Sequence, residues 1–406
     1  MKNKCFNQHT SAVLLSASLL LFTNACAQET TISAVEASAP VNASDAVAQH
    51  AQPQKSAKKW QWNTIAQGLS HPWSLAILPD GDFLVTERSG SLHHIDVNGR
   101  KSKPLTGLPA MAVDGQGGLL DIALAADFKH SRKLFFCFSE PSAHGSSNST
   151  ALASANLSTD MRRLENVKIM FSQQPKVDSS AHFGCRIVLK NKQLFLTLGD
   201  RYSRMQDAQT LNNHLGKIVR LNQDGSVPAD NPFVGQTNKL AEIYSYGHRN
   251  VQGAALAADG QLWTHEHGPQ GGDEINIIQA AANYGWPVIT YGEQYGGGKI
   301  GAGICAQEGM KQPLYYWQPS IAPSGMIFVS SNRYGDDWNG NLLVGSLKFS
   351  YLARITLDSK QKIVREDKIN VGERVRDVRQ APDGFIYVLT DSANGKLLRL
   401  QPYLQP

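Results

Sequence analysis

The sequence predicts an all-β fold, a β-propeller, and three observations support this prediction. Short apolar runs alternate with polar turns along the chain, and helical periodicity is nearly absent. A unit of two apolar runs joined by a tight turn, most often Asp-Gly, recurs in residues 75–86, 187–197, 255–264 and 378–390. Asp-Gly between apolar runs is a strong hairpin signal, because glycine adopts the positive φ that tight turns demand. The units are spread over roughly 340 residues, too many for a single sandwich domain, which favours blades arranged in a ring.

The predicted propeller domain spans residues 60–406. Two hairpins continue into a further strand, at residues 90–95 and 395–400. We expect the first and last strands to complete one blade, since this closes the ring without an exposed sheet edge. A short helix is expected near residues 275–282, whereas residues 28–59 are polar and small without a clear period and predict a disordered linker. The loops expected to line one rim are residues 142–150, 201–215 and 291–312.

Residues 1–27 have the pattern of a signal peptide. Two lysines precede an apolar stretch at residues 12–22, which is too short to span a bilayer, and small residues follow at 25–27. Cleavage after Ala27 would release a soluble periplasmic protein. Cleavage before Cys26 would instead leave a lipid-modified cysteine and an outer-membrane lipoprotein. Both routes place the mature protein outside the cytoplasm.

Charge and cysteine content exclude several classes of function. The formal net charge of +5 is small for 406 residues, and no dense basic run contains interleaved aromatic residues. Nucleic acid is therefore not expected as a partner. Beyond the export segment, Cys137, Cys185 and Cys305 follow no spacing that is typical of a disulfide framework or of a zinc site.

One histidine and one carboxylate are placed for acid–base chemistry. His182 lies just before a predicted hairpin, and Asp200 follows the second strand of that hairpin. The hairpin therefore returns both residues to the same rim. A carboxylate beside an imidazole can orient the ring and raise its basicity, as a general base requires. The alternative is a structural histidine in an ordinary loop.

Several cationic side chains could form an anion site in the channel of a propeller. Arg374 and Arg376 are two residues apart and so share one face of a strand. Lys348 follows an apolar run, and Arg249 and Asn250 lie between two glycines. Guanidinium and ammonium groups bind carboxylates and phosphates. The alternative is surface charge that is paired with nearby carboxylates.

A glycine-rich turn at residues 267–274 suggests a cation site. Gly268 and Pro269 open this polar turn, which ends in two acidic residues. Such a turn exposes main-chain carbonyl groups, and these are good ligands for a hard cation such as calcium. The alternative is an ordinary loop of the propeller.

Taken in order, these motifs resemble those of the soluble quinoprotein glucose dehydrogenases, and more closely the bacterial PQQ-dependent aldose sugar dehydrogenases. The resemblance runs from about residue 68 to residue 400. The family is a six-bladed β-propeller of four-stranded antiparallel sheets. Each motif alone is weak, whereas the ordered set is specific. Its members are residues 115–120, 182–186, 198–200, 215–226, 247–250, 266–269, 273–276, 283–287, 321–324 and 374–376.

The resemblance implies a role for each matching residue. His182 matches the general base that takes a proton from the anomeric hydroxyl while hydride passes to PQQ, and Asp200 matches the carboxylate that orients it. Arg249 belongs with them as the third expected catalytic residue. The carbonyl groups of Gly268 and Pro269 match calcium ligands. The expected cofactor contacts are Gln116, Arg249, Asn250, Ser320, Lys348, Arg374 and Arg376.

The sequence therefore predicts a PQQ- and calcium-dependent dehydrogenase that oxidises aldose sugars at C1 to lactones. Electrons would pass to an external acceptor, a quinone or a cytochrome. Two alternatives stay open: a propeller without cofactor that binds a glycan or a protein, and a metal-dependent lactonase. Cys185 stands where the family usually has glycine, and the loop at residues 291–312 is short. These departures bear on substrate range and on whether the protein is a monomer or a dimer.

Overall fold

The computed structural model describes residues 60–402, which form a ring of six antiparallel sheets. Five sheets have four strands each and one has three. The sequence prediction of an all-β, six-bladed propeller is confirmed. The expected signal peptide at residues 1–27, the expected linker at 28–59 and residues 403–406 lie outside the described residues.

The blades follow one another in chain order. The described part of the chain begins with β1 (Trp60–Leu69). Blade 1 contains β2 (Pro72–Ile77), β3 (Phe83–Glu87) and β4 (Ser91–Ile95). Blade 2 contains β5 (Leu119–Leu124), β6 (Lys133–Pro141), β7 (Asn148–Leu157) and β8 (Leu164–Ser172). Blade 3 contains β9 (Gly184–Lys190), β10 (Gln193–Leu198), β11 (Lys217–Asn222) and β12 (Ile243–Tyr246).

The remaining blades complete the ring. Blade 4 contains β13 (Val251–Leu256), β14 (Leu262–Glu266), β15 (Asp273–Ile278) and β16 (Tyr315–Trp317). Blade 5 contains β17 (Pro323–Phe328), β18 (Leu342–Ser346), β19 (Tyr351–Leu357) and β20 (Ile363–Asn370). Blade 6 contains β21 (Val375–Gln380), β22 (Ile386–Thr390) and β23 (Gly395–Pro402), with β1 as its outer strand.

The expected closure of the ring by the two terminal strands is confirmed. β1 pairs antiparallel with β23, from Trp60 opposite Pro402 to Leu69 opposite Gly395. The last blade is thus built from both ends of the domain. Without this pairing, β23 would present a free edge of backbone donors and acceptors.

The four recurring sequence units are the first and second strands of blades 1, 3, 4 and 6. The other two blades lack the unit because their corresponding turns contain a helical insertion. These insertions are α1 (Phe128–Ser131) in blade 2 and a 3₁₀ helix (Asp336–Trp338) in blade 5. A second 3₁₀ helix (Met205–Gln209) follows β10, and within residues 60–402 no helix is long and apolar enough to cross a membrane.

The expected helix at residues 275–282 is wrong, because residues 275–278 belong to β15 and residues 279–282 form a turn. Ile275, Ile277 and Ile278 are β-branched, which favours a strand. β15 lies between β14 and β16 and pairs with both. Sheet pairing therefore decides the conformation of this segment. The expected loop at residues 142–150 is also shorter, since β7 begins at Asn148.

Six apolar cores lie between neighbouring blades, one at each blade interface. Blades 2 and 3, for example, bury Phe135, Leu152 and Leu196 against one another. Both faces of most strands are consequently buried. This explains why strands such as β3, β14 and β22 are buried along their whole length rather than alternating with polar residues.

The first strand of each blade is innermost and packs against the first strands of its neighbours. At this centre two buried carboxylates meet two guanidinium groups. Arg186 lies 3.0 Å from Asp121 and 3.1 Å from Asp377, and Arg379 lies 2.8 and 2.9 Å from the same two carboxylates. The four charges balance, which allows them to be buried together at the axis.

A disulfide bond between Cys137 of β6 and Cys185 of β9 links blades 2 and 3. The bridged residues are 48 positions apart in the chain. Cys185 has a φ of 81°, a value that residues other than glycine rarely adopt. The bond fixes β9 immediately after the segment that carries His182.

Removal of this bridge is expected to destabilise the fold. In the chain-entropy model, a cross-link over 48 residues lowers the entropy of the unfolded chain and so raises its free energy by about 4 kcal/mol. Cys137→Ala combined with Cys185→Ala should therefore lower the midpoint of urea unfolding, which is measured by tryptophan fluorescence. Glycine at position 185 accepts the positive φ, so Cys137→Ala with Cys185→Gly should recover about 1 kcal/mol. Equal midpoints for the three proteins would contradict this account.

Candidate functional site

All the predicted site residues lie at one rim of the propeller. In an antiparallel blade, the start of the first strand and the end of the second strand are at the same end of the sheet. The segments that lead into first strands carry Gln116, His182, Arg249, Asn250, Ser320 and Arg374. The segments that leave second strands carry Asp200, Gly268, Pro269 and Lys348. Arg376 is the second residue of β21, at the same end.

His182 and Asp200 form a direct pair, as the sequence predicts. The imidazole Nδ1 lies 2.6 Å from Asp200 Oδ1. The backbone N–H of Tyr202 donates to the same oxygen at 2.8 Å, and Trp286 Nε1 donates to Asp200 Oδ2 at 2.8 Å. The carboxylate is thus held by three partners. Because Nδ1 is engaged, Nε2 is the imidazole atom left for a substrate.

Burial sets the protonation state of this pair. His182 is 5% exposed. Burial lowers its pKa below the usual value, Arg249 lowers it further, and the hydrogen bond with Asp200 opposes both. Burial raises the pKa of Asp200, but His182 and Arg249 lower it by more, so the net shift is downward. At neutral pH the arrangement is a neutral imidazole beside an ionised carboxylate, which suits a proton acceptor.

Two amide side chains hold the segment around His182. Gln116 Oε1 accepts a hydrogen bond from the His182 backbone N–H at 2.9 Å. Asn250 Oδ1 accepts one from the Gly184 N–H at 3.1 Å. His182 itself has a φ of 54°, so these bonds fix a backbone conformation that costs energy. Both amides therefore position the imidazole, whatever else they contact.

Arg249 is joined to the pair through its backbone and its side chain. Its carbonyl accepts a hydrogen bond from the Asp200 N–H at 2.9 Å. Its own N–H donates to Glu266 Oε2 at 2.5 Å, and its guanidinium Nη1 donates to the His267 carbonyl at 3.1 Å. The guanidinium also lies over the Trp286 ring, 5.4 Å from its centroid. The cation is fixed beside the His–Asp pair.

Arg374 and Arg376 converge on one carboxylate. Their Nη2 atoms lie 3.4 and 3.0 Å from Asp391 Oδ2. Burial raises the pKa of Asp391, but Arg376 and its other partners lower it far more, so the group stays ionised. Arg376 is buried, whereas the Arg374 side chain is 54% exposed. With one carboxylate for two guanidinium groups, this trio of side chains carries a net positive charge.

Arg376 is also linked to Asn250. Its Nη1 donates to Gln252 Oε1 at 3.4 Å, and Gln252 Nε2 donates to Asn250 Oδ1 at 3.2 Å.

Lys348 is more isolated, because its side chain is exposed and lies over the Phe349 ring at 5.2 Å. Within residues 60–402, the Lys348 ammonium does not contact another predicted site residue.

Asp273 joins the predicted calcium loop to Ser320. Its Oδ1 accepts a hydrogen bond from the Gly268 N–H at 2.9 Å, and its Oδ2 accepts one from Ser320 Oγ at 2.7 Å. Burial raises the pKa of Asp273 to about 6, although these bonds oppose the shift. No donor within residues 60–402 bonds to the carbonyl oxygens of Gly268 and Pro269. These oxygens are therefore available to an external ligand.

A small cavity beside Arg249 lies behind the same loop and is lined by Glu266 and Glu274. Burial and the neighbouring Glu266 raise the pKa of Glu274 to about 8. Among residues 60–402, no group of three or more His, Cys, Asp or Glu side chains is arranged to hold a metal ion. A cation here would therefore depend on carbonyl and cofactor oxygens as well as carboxylates.

Sequence reasoning missed several residues that hold the site. They are Glu266, Asp273, Trp286 and Asp391, each of which contacts a predicted site residue. Three of the four lie inside the motifs already noted, so their positions, but not their contacts, were visible. Asp391 follows β22 at the same rim, where a carboxylate among arginines could have been anticipated.

Comparison with known proteins agrees with the fold. Residues 69–399 match the family model for Glucose / Sorbosone dehydrogenase. Aldose sugar dehydrogenase YliI of Escherichia coli is 42% identical over 342 residues, which cover 82% of this chain and 91% of that protein.

Two solved structures extend the comparison. The apo-form of the soluble aldose sugar dehydrogenase of Escherichia coli has a TM-score of 0.81 and 40% identity, over 85% of this chain and 100% of that one. The PQQ-bound form of aldose sugar dehydrogenase from Streptomyces coelicolor has a TM-score of 0.69 and 28% identity, over 85% and 98%. The resemblance noted from the motifs and the expectation of an oxidoreductase are confirmed. The chain belongs to the glucose/sorbosone dehydrogenase family.

Proposed function

We propose that this protein is a PQQ- and calcium-dependent aldose sugar dehydrogenase that oxidises sugars at C1 to lactones. The observation that carries this proposal is the His182–Asp200 pair, 2.6 Å apart, at a rim where two guanidinium groups share one carboxylate. The PQQ-bound relative supports the cofactor. Electrons would leave through an external acceptor, a quinone or a cytochrome.

The residues at the rim fit the cofactor. PQQ carries three carboxylates, and guanidinium and ammonium groups bind carboxylates well. Arg374 and Lys348 present exposed cationic ends, Arg376 shares a carboxylate with Arg374, and Arg249 lies at the same rim. Gln116, Asn250 and Ser320 add polar atoms at the same rim.

The loop after β14 fits a calcium ion. The carbonyl oxygens of Gly268 and Pro269 accept no hydrogen bond from residues 60–402, and oxygen ligands are those that calcium prefers. When bound, PQQ accepts hydride and calcium polarises the carbonyl that receives it.

The chain itself supplies proton transfer and position. The sugar C1 hydroxyl donates to Nε2 of neutral His182, which takes the proton as the C1–H bond breaks. Asp200 stabilises the resulting imidazolium through Nδ1–H, and Trp286 and the Tyr202 N–H keep the carboxylate in place. The imidazole is thus oriented before substrate arrives, which lowers the cost of reaching the transition state.

We further propose that the protein works outside the cytoplasm, in the periplasm or on the outer membrane through Cys26. The disulfide between Cys137 and Cys185 supports this location, because such bonds persist in oxidising compartments. The pattern of residues 1–27 agrees with it.

Reconstitution tests the proposal directly. Purified protein is freed of ligands and assayed for dye reduction with glucose, with calcium alone, with PQQ alone, and with both. We expect activity only with both, because the rim residues provide charge and position but no redox group. Absence of activity over a panel of aldoses, with no change in the PQQ absorbance spectrum, would refute the proposal and favour a binding module.

His182→Ala is expected to abolish turnover while PQQ still binds. General-base catalysis accelerates a reaction by about 10²–10⁴-fold, so kcat should fall by a factor of that size or more. PQQ affinity is measured by absorbance titration and should change little. His94→Ala is a matched control. His94 also pairs with a carboxylate, Asp82, at 2.7 Å, and both residues are far in sequence from the site residues. Turnover of His182→Ala within a few-fold of wild type would mean that another group is the base.

Asp200→Asn is expected to lower kcat and to move the acidic limb of the pH profile. Asp200 raises the pKa of His182, so its loss lets burial and Arg249 lower that pKa further. The base then protonates only at lower pH, and the fall in kcat/KM on the acidic side shifts to lower pH. We expect kcat to fall by about 100-fold, because the imidazolium loses its partner. An unchanged acidic limb in the kcat/KM profile would contradict the assigned pair.

A further inference from the structure

We propose that the ring of Tyr202 forms one wall of the sugar site and sets substrate preference by contact with the apolar face of a pyranose ring. The inference rests on the proposed function. It assigns a contact to a residue that none of the sequence motifs contains.

The position of Tyr202 is the first support. Its ring lies edge-to-face against the His182 imidazole, with 5.2 Å between the ring centroids. The same tyrosine is 57% exposed, whereas His182 is almost entirely buried. A substrate that reaches His182 Nε2 from solvent therefore arrives beside an open aromatic ring.

Backbone conformation is the second support. Arg201 and Tyr202 have φ values of 59° and 63°, two consecutive non-glycine residues in the left-handed region. A bulky residue there is strained, and such strain concentrates at functional sites. Glycine at position 202 would make the same turn and the same N–H bond to Asp200 without strain. The turn therefore does not explain the tyrosine side chain.

The burial of the preceding residue shows how the turn works. The Arg201 side chain is fully buried, stacks 3.6 Å from the Phe183 ring centroid and donates to Asn148 Oδ1 at 2.6 Å. Since consecutive residues of the turn point in different directions, burying Arg201 sends Tyr202 outward. The buried arginine thus anchors an exposed ring at the mouth of the site.

The chemistry of the ring matches a sugar. Tyrosine has an apolar body with a polar tip, so it can cover the C–H face of a pyranose and still reach a hydroxyl group. Its side chain has few rotatable bonds, and here the neighbouring imidazole packs against it. Binding a sugar therefore costs this side chain little conformational entropy.

A positioning role on His182 is the rival explanation, because Tyr202 touches the base and its N–H bonds to Asp200. The two explanations differ in kinetics. Loss of a sugar contact raises KM, whereas loss of base positioning lowers kcat and alters the pH profile. Tyr202→Ala and Tyr202→Phe are compared with wild type after loading with PQQ and calcium, with glucose and xylose as substrates.

For Tyr202→Ala we expect KM to rise by roughly tenfold, about 1.4 kcal/mol, with kcat and the acidic limb little changed. Tyr202→Phe keeps the ring and should stay within about twofold of wild type. Tyr202→Gly should match Tyr202→Ala in KM while its melting temperature stays within about 3 °C of wild type, because glycine tolerates the turn.

Unchanged KM in Tyr202→Ala would overturn the inference, as would a loss confined to kcat. Equal losses in Tyr202→Phe and Tyr202→Ala would also overturn it, since the hydroxyl and not the ring would then be the contact. These outcomes require an active wild-type enzyme. An inactive wild type that also fails to change the PQQ spectrum would instead refute the proposed function.

Discussion

Neighbouring strands within each blade run in opposite directions, so every first strand begins at the rim where every second strand ends. Six blades repeat this geometry around one axis. Residues as distant in sequence as Gln116 and Arg374 are therefore delivered to one rim by the same strand geometry. The inter-blade cores and the charge-balanced centre keep that face rigid, and loops can then vary in length and composition without moving the strands that support them.

Much of the fold and part of the site follow from local sequence signals. Asp-Gly turns between apolar runs define hairpins, and the His182–Asp200 pair is predictable because one hairpin joins its members. Contacts made through long connections are not visible in this way. Trp286 reaches Asp200 across 86 residues, from a segment after β15 whose path depends on packing. The expectation of a helix at β15 is wrong because pairing with β14 and β16 outweighs a weak helical pattern.

Charge shows a similar limit. Arg186, Arg379 and Arg374 look alike in sequence, yet the first two are neutralised at the axis by Asp121 and Asp377, and the third is largely exposed. Only the three-dimensional arrangement separates guanidinium groups that stabilise the ring from those that can meet a ligand. The four charges at the axis cancel, whereas the trio of Arg374, Arg376 and Asp391 at the rim keeps a net positive charge.

The pairing of β1 with β23 has a consequence for biosynthesis. Trp60 and Pro402 are opposite one another, so β1, the first strand of the described residues to be synthesised, finds its partner only when β23 has been made. A nascent chain can form blades 1 to 5 but cannot complete blade 6 and close the ring. Such long-range contacts slow folding, and the unsealed ring has exposed strand edges that can pair with other chains. The closed propeller is therefore a product of the finished polypeptide, because loss of β1 exposes the edge of β23 and loss of β23 exposes the edge of β22.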